Sequence, residues 1–207
     1  MYIGLTGLMA SGKSTVSSYL AQKGAYIIDA DKISRLSTQK GGECYAQIIE
    51  AFGEDILLPD GEIDRKALSK LVFSNKERLE KLNSIVHPFV LNKMYELADE
   101  YKANEKDAII VFDVPLLVET DMHKRMDEVW VVTADYEKII ERAMKRSKLT
   151  REQAEARLKN QASDKEKLAV ADEVIDNSGS LETLYERLDS LFERVKSDNG
   201  RKKKKEA

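Results

Sequence analysis

The stretch Gly7-Leu8-Met9-Ala10-Ser11-Gly12-Lys13-Ser14 decides the fold of this chain. It matches the phosphate-loop pattern of a glycine, four residues, then Gly-Lys-Ser. The apolar run Tyr2-Ile3-Gly4-Leu5-Thr6 precedes it as a strand, and Val16, Tyr19 and Leu20 follow at helical spacing. The glycines let backbone N–H groups wrap a phosphate, and the positive end of the following helix adds to that field. In such a loop Lys13 reaches the β- and γ-phosphates of a nucleotide, and the Ser14 hydroxyl ligates magnesium. A chance match somewhere in 200 positions is about a one per cent event at ordinary glycine usage. Here the match also lies between a strand and a helix, as the mechanism requires.

Outward from the loop, the first helix spans about Lys13 to Lys23, with Gly24 as its C-cap. A second strand, Ala25–Ile28, ends in Asp29-Ala30-Asp31. Strand, turn, helix and strand within thirty residues open a parallel α/β sheet. From Lys32 to about Asn104 the pattern is helix after helix, and Pro88 is expected to kink or divide the longest. Strand signals return at 108–112, 129–132 and 173–175, with charged helices over about 135–167 and a closing helix from Leu181 to about Val195. No internal repeat or Pro/Gly-rich linker interrupts this order.

The chain has 207 residues, 34 basic and 37 acidic, for a net charge of −3. The segment 201–207 holds five of the bases and one acid; without it 29 and 36 remain, a net of −7. An acidic body excludes a protein that coats nucleic acid or anionic membrane. The tail is expected to be a disordered, solvated end. Hydrophobic content of 42% is ample for a core. The longest wholly apolar run, Ala108–Phe112, falls far short of a membrane span of about 20 residues. No secretion signal is apparent, and the single cysteine and two histidines make a zinc site improbable. A cytoplasmic protein is expected.

Three further groups carry chemistry. Asp113 follows the run 108–112, where an acid beside a phosphate loop holds magnesium directly or through water; the alternative is a cap before Pro115. Asp29 and Asp31 end the second strand at the ligand-binding edge of a parallel sheet. Either a catalytic carboxylate or a helix N-cap fits them, and spacing alone slightly favours the cap. Arg142 and Arg146 lie four apart on one helical face, followed by Arg151 and Arg157. They suit a lid that clamps phosphates, or a solvated face paired with Glu137, Glu141 and Glu155, which composition favours.

The asparagine-lysine signature of GTP switches and the Leu-Ser-Gly-Gly-Gln signature of transport ATPases are absent, which leaves a small-molecule kinase. Over nearly all of residues 2–195 the sequence resembles the dephospho-coenzyme A kinases. The resemblance is carried by Ile3–Gly7 with the loop, Ile28–Arg35, Asp64–Leu68, Leu71–Phe73, His87-Pro88, Asp113–Glu119, Arg142 to Arg146, Gln161, and Ala171-Asp172 leading to Ile175–Asn177. Leu8 departs from the family, which commonly has a second glycine there.

The resemblance implies an α/β fold: a three-layer parallel-sheet P-loop kinase core at about 1–30, 105–140 and 172–197. A helical acceptor-binding insertion at about 31–104 and a helical lid at about 141–168 complete one domain over 1–200. It implies ATP-dependent phosphorylation of the ribose 3′-hydroxyl of dephospho-coenzyme A, with Mg2+ as cofactor, the two small molecules as partners, and no obligate protein partner. By the same likeness Asp31 becomes the candidate base, with Lys13 and Arg142 as the other catalytic residues. Gly7, Ala10, Ser11, Gly12, Lys13, Ser14, Thr15, Arg146 and Asn177 are expected at ATP. Asp31, Arg35, Arg65, His87, Asp113, Pro115 and Leu116 are expected at the acceptor, and Ser14 and Asp113 at the metal. For His87, a pocket role and a plain buried histidine stand level. A nucleoside monophosphate kinase is the nearest rival, and a non-catalytic nucleotide-binding regulator docking through the basic tail is the rival of another class.

Overall fold

A computed structural model describes the chain apart from residues 8–9, 148, 160–163 and 207; side chains at 146–147, 157, 159, 164 and 199–206 also lie outside the description. Two compact units are present: residues 1–28 with 100–207, and residues 29–99.

The first unit is built on a five-stranded sheet of β1 (Tyr2–Gly7), β2 (Tyr26–Asp29), β3 (Ile110–Asp113), β4 (Glu128–Thr133) and β5 (Glu173–Asp176), in the order β2-β3-β1-β4-β5. β1 runs parallel to β3 and β4, and β4 parallel to β5. Alternate residues of the central strands are buried on both faces: Ile3 and Leu5 on one, Gly4 and Thr6 on the other. That is why these strands read as continuous apolar runs rather than as alternating ones.

One face is covered by α1 (Lys13–Gln22) and α9 (Leu181–Glu206). Val16 and Leu20 of α1, with Leu184, Leu188, Leu191, Phe192 and Val195 of α9, close over Ile3, Leu5, Val111, Trp130, Val132 and Ile175. Each fully buried side chain of this size contributes about 1.5–3 kcal/mol relative to exposure. The Trp130 indole N–H donates to Glu128 (2.9 Å), which also receives both Arg194 N–H groups at 2.7 Å, so α9 is fastened to the start of β4. Gly24, at φ +99° just beyond α1, takes the left-handed position expected of a terminating glycine.

Helices α6 (Tyr136–Ser147), α7 (Arg151–Lys159) and α8 (Asp164–Ala169) lie between β4 and β5 in sequence. Ile139, Ile140, Ala143, Ala154 and Leu158 form the small core of α6 and α7, and α8 packs against β1 and β4. α9 continues to Glu206, past the end near Val195 and through the segment expected to be disordered. Lys, Arg and Glu are good helix formers, and they flank the poorer stretch Ser197-Asp198-Asn199-Gly200 on both sides.

The 29–99 unit contains α2 (Ala30–Ser37), α3 (Tyr45–Phe52) and α4 (Arg65–Phe73), together with the larger part of α5 (Lys76–Asn104). Its own core comprises Cys44, Ile48, Ile56, Ile63, Leu68, Val72 and Val86. α5 is one helix with Pro88 inside it, so the expected division does not occur. Val86 is buried in this core, and Ile85, Phe89 and Val90 pack against it on both sides of the proline. That packing outweighs the single hydrogen bond the proline removes.

Candidate active site

The phosphate loop leaves β1 at Gly7 and enters α1 at Lys13. Ala10 (φ 64°) and Gly12 (φ 95°) adopt left-handed backbone, which curls the loop. No side chain caps α1, so no cap competes for the first N–H groups of the helix. At this backbone angle any other residue would be strained, and a Cβ at Gly12 would lie 1.9 Å from the Asn177 side-chain nitrogen and displace it. Gly12→Ala is therefore expected to abolish measurable ATP binding, by titration, while lowering stability by about 1–3 kcal/mol, the cost of one strained backbone residue.

Three side chains converge on this loop. Lys13 forms an ion pair with Asp113, the last residue of β3, whose partner across the β1–β3 ladder is Leu5. Asn177, just past β5, is 5% exposed and donates from Nδ2 to the Ser11 carbonyl at 2.8 Å. Arg142 of α6 donates to the Asn177 carbonyl (3.0 Å) and to the Ser11 carbonyl (3.4 Å). Lys13, Asp113, Asn177 and Arg142 are thus assembled at the C-terminal ends of β1, β3 and β5, where open parallel sheets bind ligands. Ser14 is exposed, whereas Ser11 is wholly buried with its hydroxyl unpartnered. Asp113 and the Ser14 hydroxyl are hard oxygen donors of the kind Mg2+ takes. Among the described residues no cluster of three His, Cys, Asp or Glu could hold a metal by itself.

Asn177, expected at ATP, and Arg142, expected among the catalytic residues, both brace the phosphate-loop backbone. The Arg146 side chain, Leu8 and Gln161 lie outside the described residues. Arg151 pairs with Glu137 at 2.7 Å and Glu155 at 2.9 Å, as the solvated-face alternative expected. The hydrogen bond from Arg151 holds the Glu137 carboxyl below its usual 4.5. A lowered carboxyl stabilises the fold above its ordinary value and ceases to do so as pH falls through the lowered one. The difference in melting temperature between the unaltered chain and Arg151→Ala should therefore be constant well above pH 4.5 and shrink as pH falls below it.

In the 29–99 unit, Asp29 takes the N-cap position of α2, accepting from Lys32 N at 2.9 Å. Asp31 is exposed in the first turn of that helix. The Arg65 guanidinium donates to the Arg35 carbonyl (3.0 Å) and the Thr38 hydroxyl (3.1 Å), bringing Arg35 and Arg65 together. His87 is exposed on α5, so the plain buried histidine does not hold. Pro115 and half-exposed Leu116 follow Asp113 in the turn after β3.

One residue of this neighbourhood escaped the sequence reading. Lys167 of α8 is only 1% exposed and donates to the Pro115 carbonyl. No local signal marks it, because a lysine in a charged helix reads as surface.

A phosphate loop between β1 and α1, with its lysine against the carboxylate that ends the adjacent parallel strand, defines a P-loop nucleotide-binding protein. The dephospho-CoA kinase family model matches residues 1–183. The chain belongs to the dephospho-CoA kinase family. A dephospho-CoA kinase from Fusobacterium nucleatum is 47% identical over 94% of this chain and 98% of its own length. Among solved structures, a Thermus thermophilus protein superposes with TM-score 0.77 at 32% identity, covering 94% of this chain and 97% of that one. The dephospho-CoA kinase from Campylobacter jejuni gives 0.64 at 27%, covering 94% and 96%.

Proposed function

We propose that this enzyme transfers the γ-phosphoryl group of ATP to the ribose 3′-hydroxyl of dephospho-coenzyme A, the last step of coenzyme A formation. The observation that carries the reading is the phosphate loop with Lys13 set against Asp113 at adjacent strand ends. Family membership supports the choice of acceptor. Phosphoryl transfer asks the protein mainly for positioning and for neutralisation of charge on the phosphate oxygens.

The phosphates of ATP lie in the loop Gly7–Thr15, with backbone N–H groups of Ala10, Ser11, Gly12 and Thr15 around them and Lys13 drawn from Asp113 onto the β- and γ-oxygens. Lys13 and Asp113 compensate each other's charge. Asp113 and Ser14 would hold Mg2+, which supplies charge neutralisation on the phosphate oxygens when bound. Arg142 and Asn177 keep the loop in its curled form, and Arg146 contributes to ATP binding. Asp31 accepts the proton of the ribose hydroxyl or aligns it. Arg35, Arg65, His87, Pro115 and Leu116 bind the acceptor.

No helix among the described residues is long and apolar enough to cross a membrane. That and the acidic body fit an enzyme of the cytoplasm acting on small molecules. Offering ATP with dephospho-coenzyme A and with a panel of nucleoside monophosphates, and following ADP release, tests the assignment. Release confined to dephospho-coenzyme A is expected; release with a monophosphate alone would replace this reading with its nearest rival.

A further inference from the structure

A lysine inside a protein demands a reason. Removing an ammonium from water is costly unless its hydrogens are held and its charge is matched. Lys167 meets both conditions. Its Nζ donates to the Pro115 carbonyl at 3.1 Å and lies 3.2 and 3.4 Å from the two carboxylate oxygens of Glu119.

The choice of partners is informative. Pro115 and Glu119 both belong to the turn that follows Asp113. The Pro115 carbonyl also accepts from the Thr6 hydroxyl at 3.1 Å, and Thr6 is wholly buried on β1 one residue before the phosphate loop. A single carbonyl two residues beyond Asp113 is therefore held from two sides, by β1 and by α8. The amide of Val114 adds a third tie, donating to Leu5 at 3.0 Å. α8 is itself anchored, because Asp172 beyond it accepts from the Val129 N–H at 2.7 Å. Lys167 thus joins α8 to the turn that follows Asp113 and carries Pro115 and Leu116.

Buried ion pairs often add little stability relative to apolar residues of similar volume, so stability alone does not account for this one. What it supplies is direction: two donors from separate elements fix where the Pro115 carbonyl points. We propose that Lys167 is a positioning residue for phosphoryl transfer, holding the 113–119 turn so that Asp113 and the acceptor-facing residues keep their register with the phosphate loop. This rests on the reading of the site given under Proposed function.

Lys167→Met is the first test. The carboxylate it leaves behind belongs to Glu119, whose side chain is 27% exposed and can be hydrated, and the Pro115 carbonyl keeps Thr6. Lys167→Met/Glu119→Gln removes both charges at nearly constant volume, should the single variant not fold. For the folded variant, amide hydrogen exchange over residues 114–120 is expected to rise tenfold or more, with β1 and β4 unchanged. The Kd for ATP should stay within about threefold, while kcat falls and the KM for dephospho-coenzyme A rises, each about tenfold, as small misplacements of reacting groups produce. Lys167→Arg, which keeps a buried donor cation, should recover part of kcat. A folded variant with unchanged exchange, kcat and KM overturns the proposal. Failure of both methionine variants to fold also overturns it, and makes Lys167 a residue of the core. If the unaltered chain transfers nothing to dephospho-coenzyme A, the functional reading fails instead, and the exchange measurement still decides whether Lys167 holds the turn.

Discussion

Lys13→Ala is expected to lower kcat about a hundred- to a thousandfold, the scale for removing one preorganised charge from a transition state. Arg142 does not stand in for the lost side chain. Arg142 already donates to the Ser11 and Asn177 carbonyls, so its guanidinium is engaged with the loop backbone. The variant leaves Asp113, 4% exposed, without the cation it pairs with. Truncation also opens a path for water, since 18% of the Lys13 side chain is exposed, and this moderates the loss of stability. A drop in melting temperature of several degrees with the secondary structure intact is the expected companion result. Initial rates at saturating ATP and dephospho-coenzyme A, with circular dichroism on the same samples, make the measurement. Turnover near that of the unaltered chain would remove the phosphate loop from the mechanism.

Asp31→Asn is expected to reduce kcat about a hundred- to ten-thousandfold, the range for a lost general base, while ATP binds within a few-fold of normal. The fold should tolerate the change. Asp29, not Asp31, provides the cap of α2, and Asp31 is exposed in the first helical turn, where the amide is nearly isosteric. The decisive comparison is between kcat and the ATP dissociation constant, measured separately by steady-state kinetics and calorimetry. If affinity for ATP collapses with kcat, the carboxylate serves metal or structure rather than the ribose hydroxyl.

Much of the site could be read along the chain because its parts are local. The phosphate loop is strand, turn and helix in one continuous stretch, and Asp113 announces itself by ending an apolar run. The cap at Asp29 follows the same short-range logic. The support of the site is not local. Asn177 holds Ser11, and Lys167 holds Pro115, across long intervals of sequence, and composition places both residue types on surfaces. At Pro88 the local rule offers a kink or a division, and the insertion core packed on either side keeps the helix undivided. The basic end misled, since charge density argued for disorder while helix propensity allowed α9 to continue.

The bond from Asn177 to Ser11 spans 166 residues and has a temporal consequence. During synthesis the phosphate loop is made well before the residue that braces it. The strand that carries Asn177 to the sheet, β5, pairs only with β4 and cannot dock before that strand is in place. The closure that shapes the loop is therefore non-local, of the kind whose loop-closure entropy must be met before the contact forms.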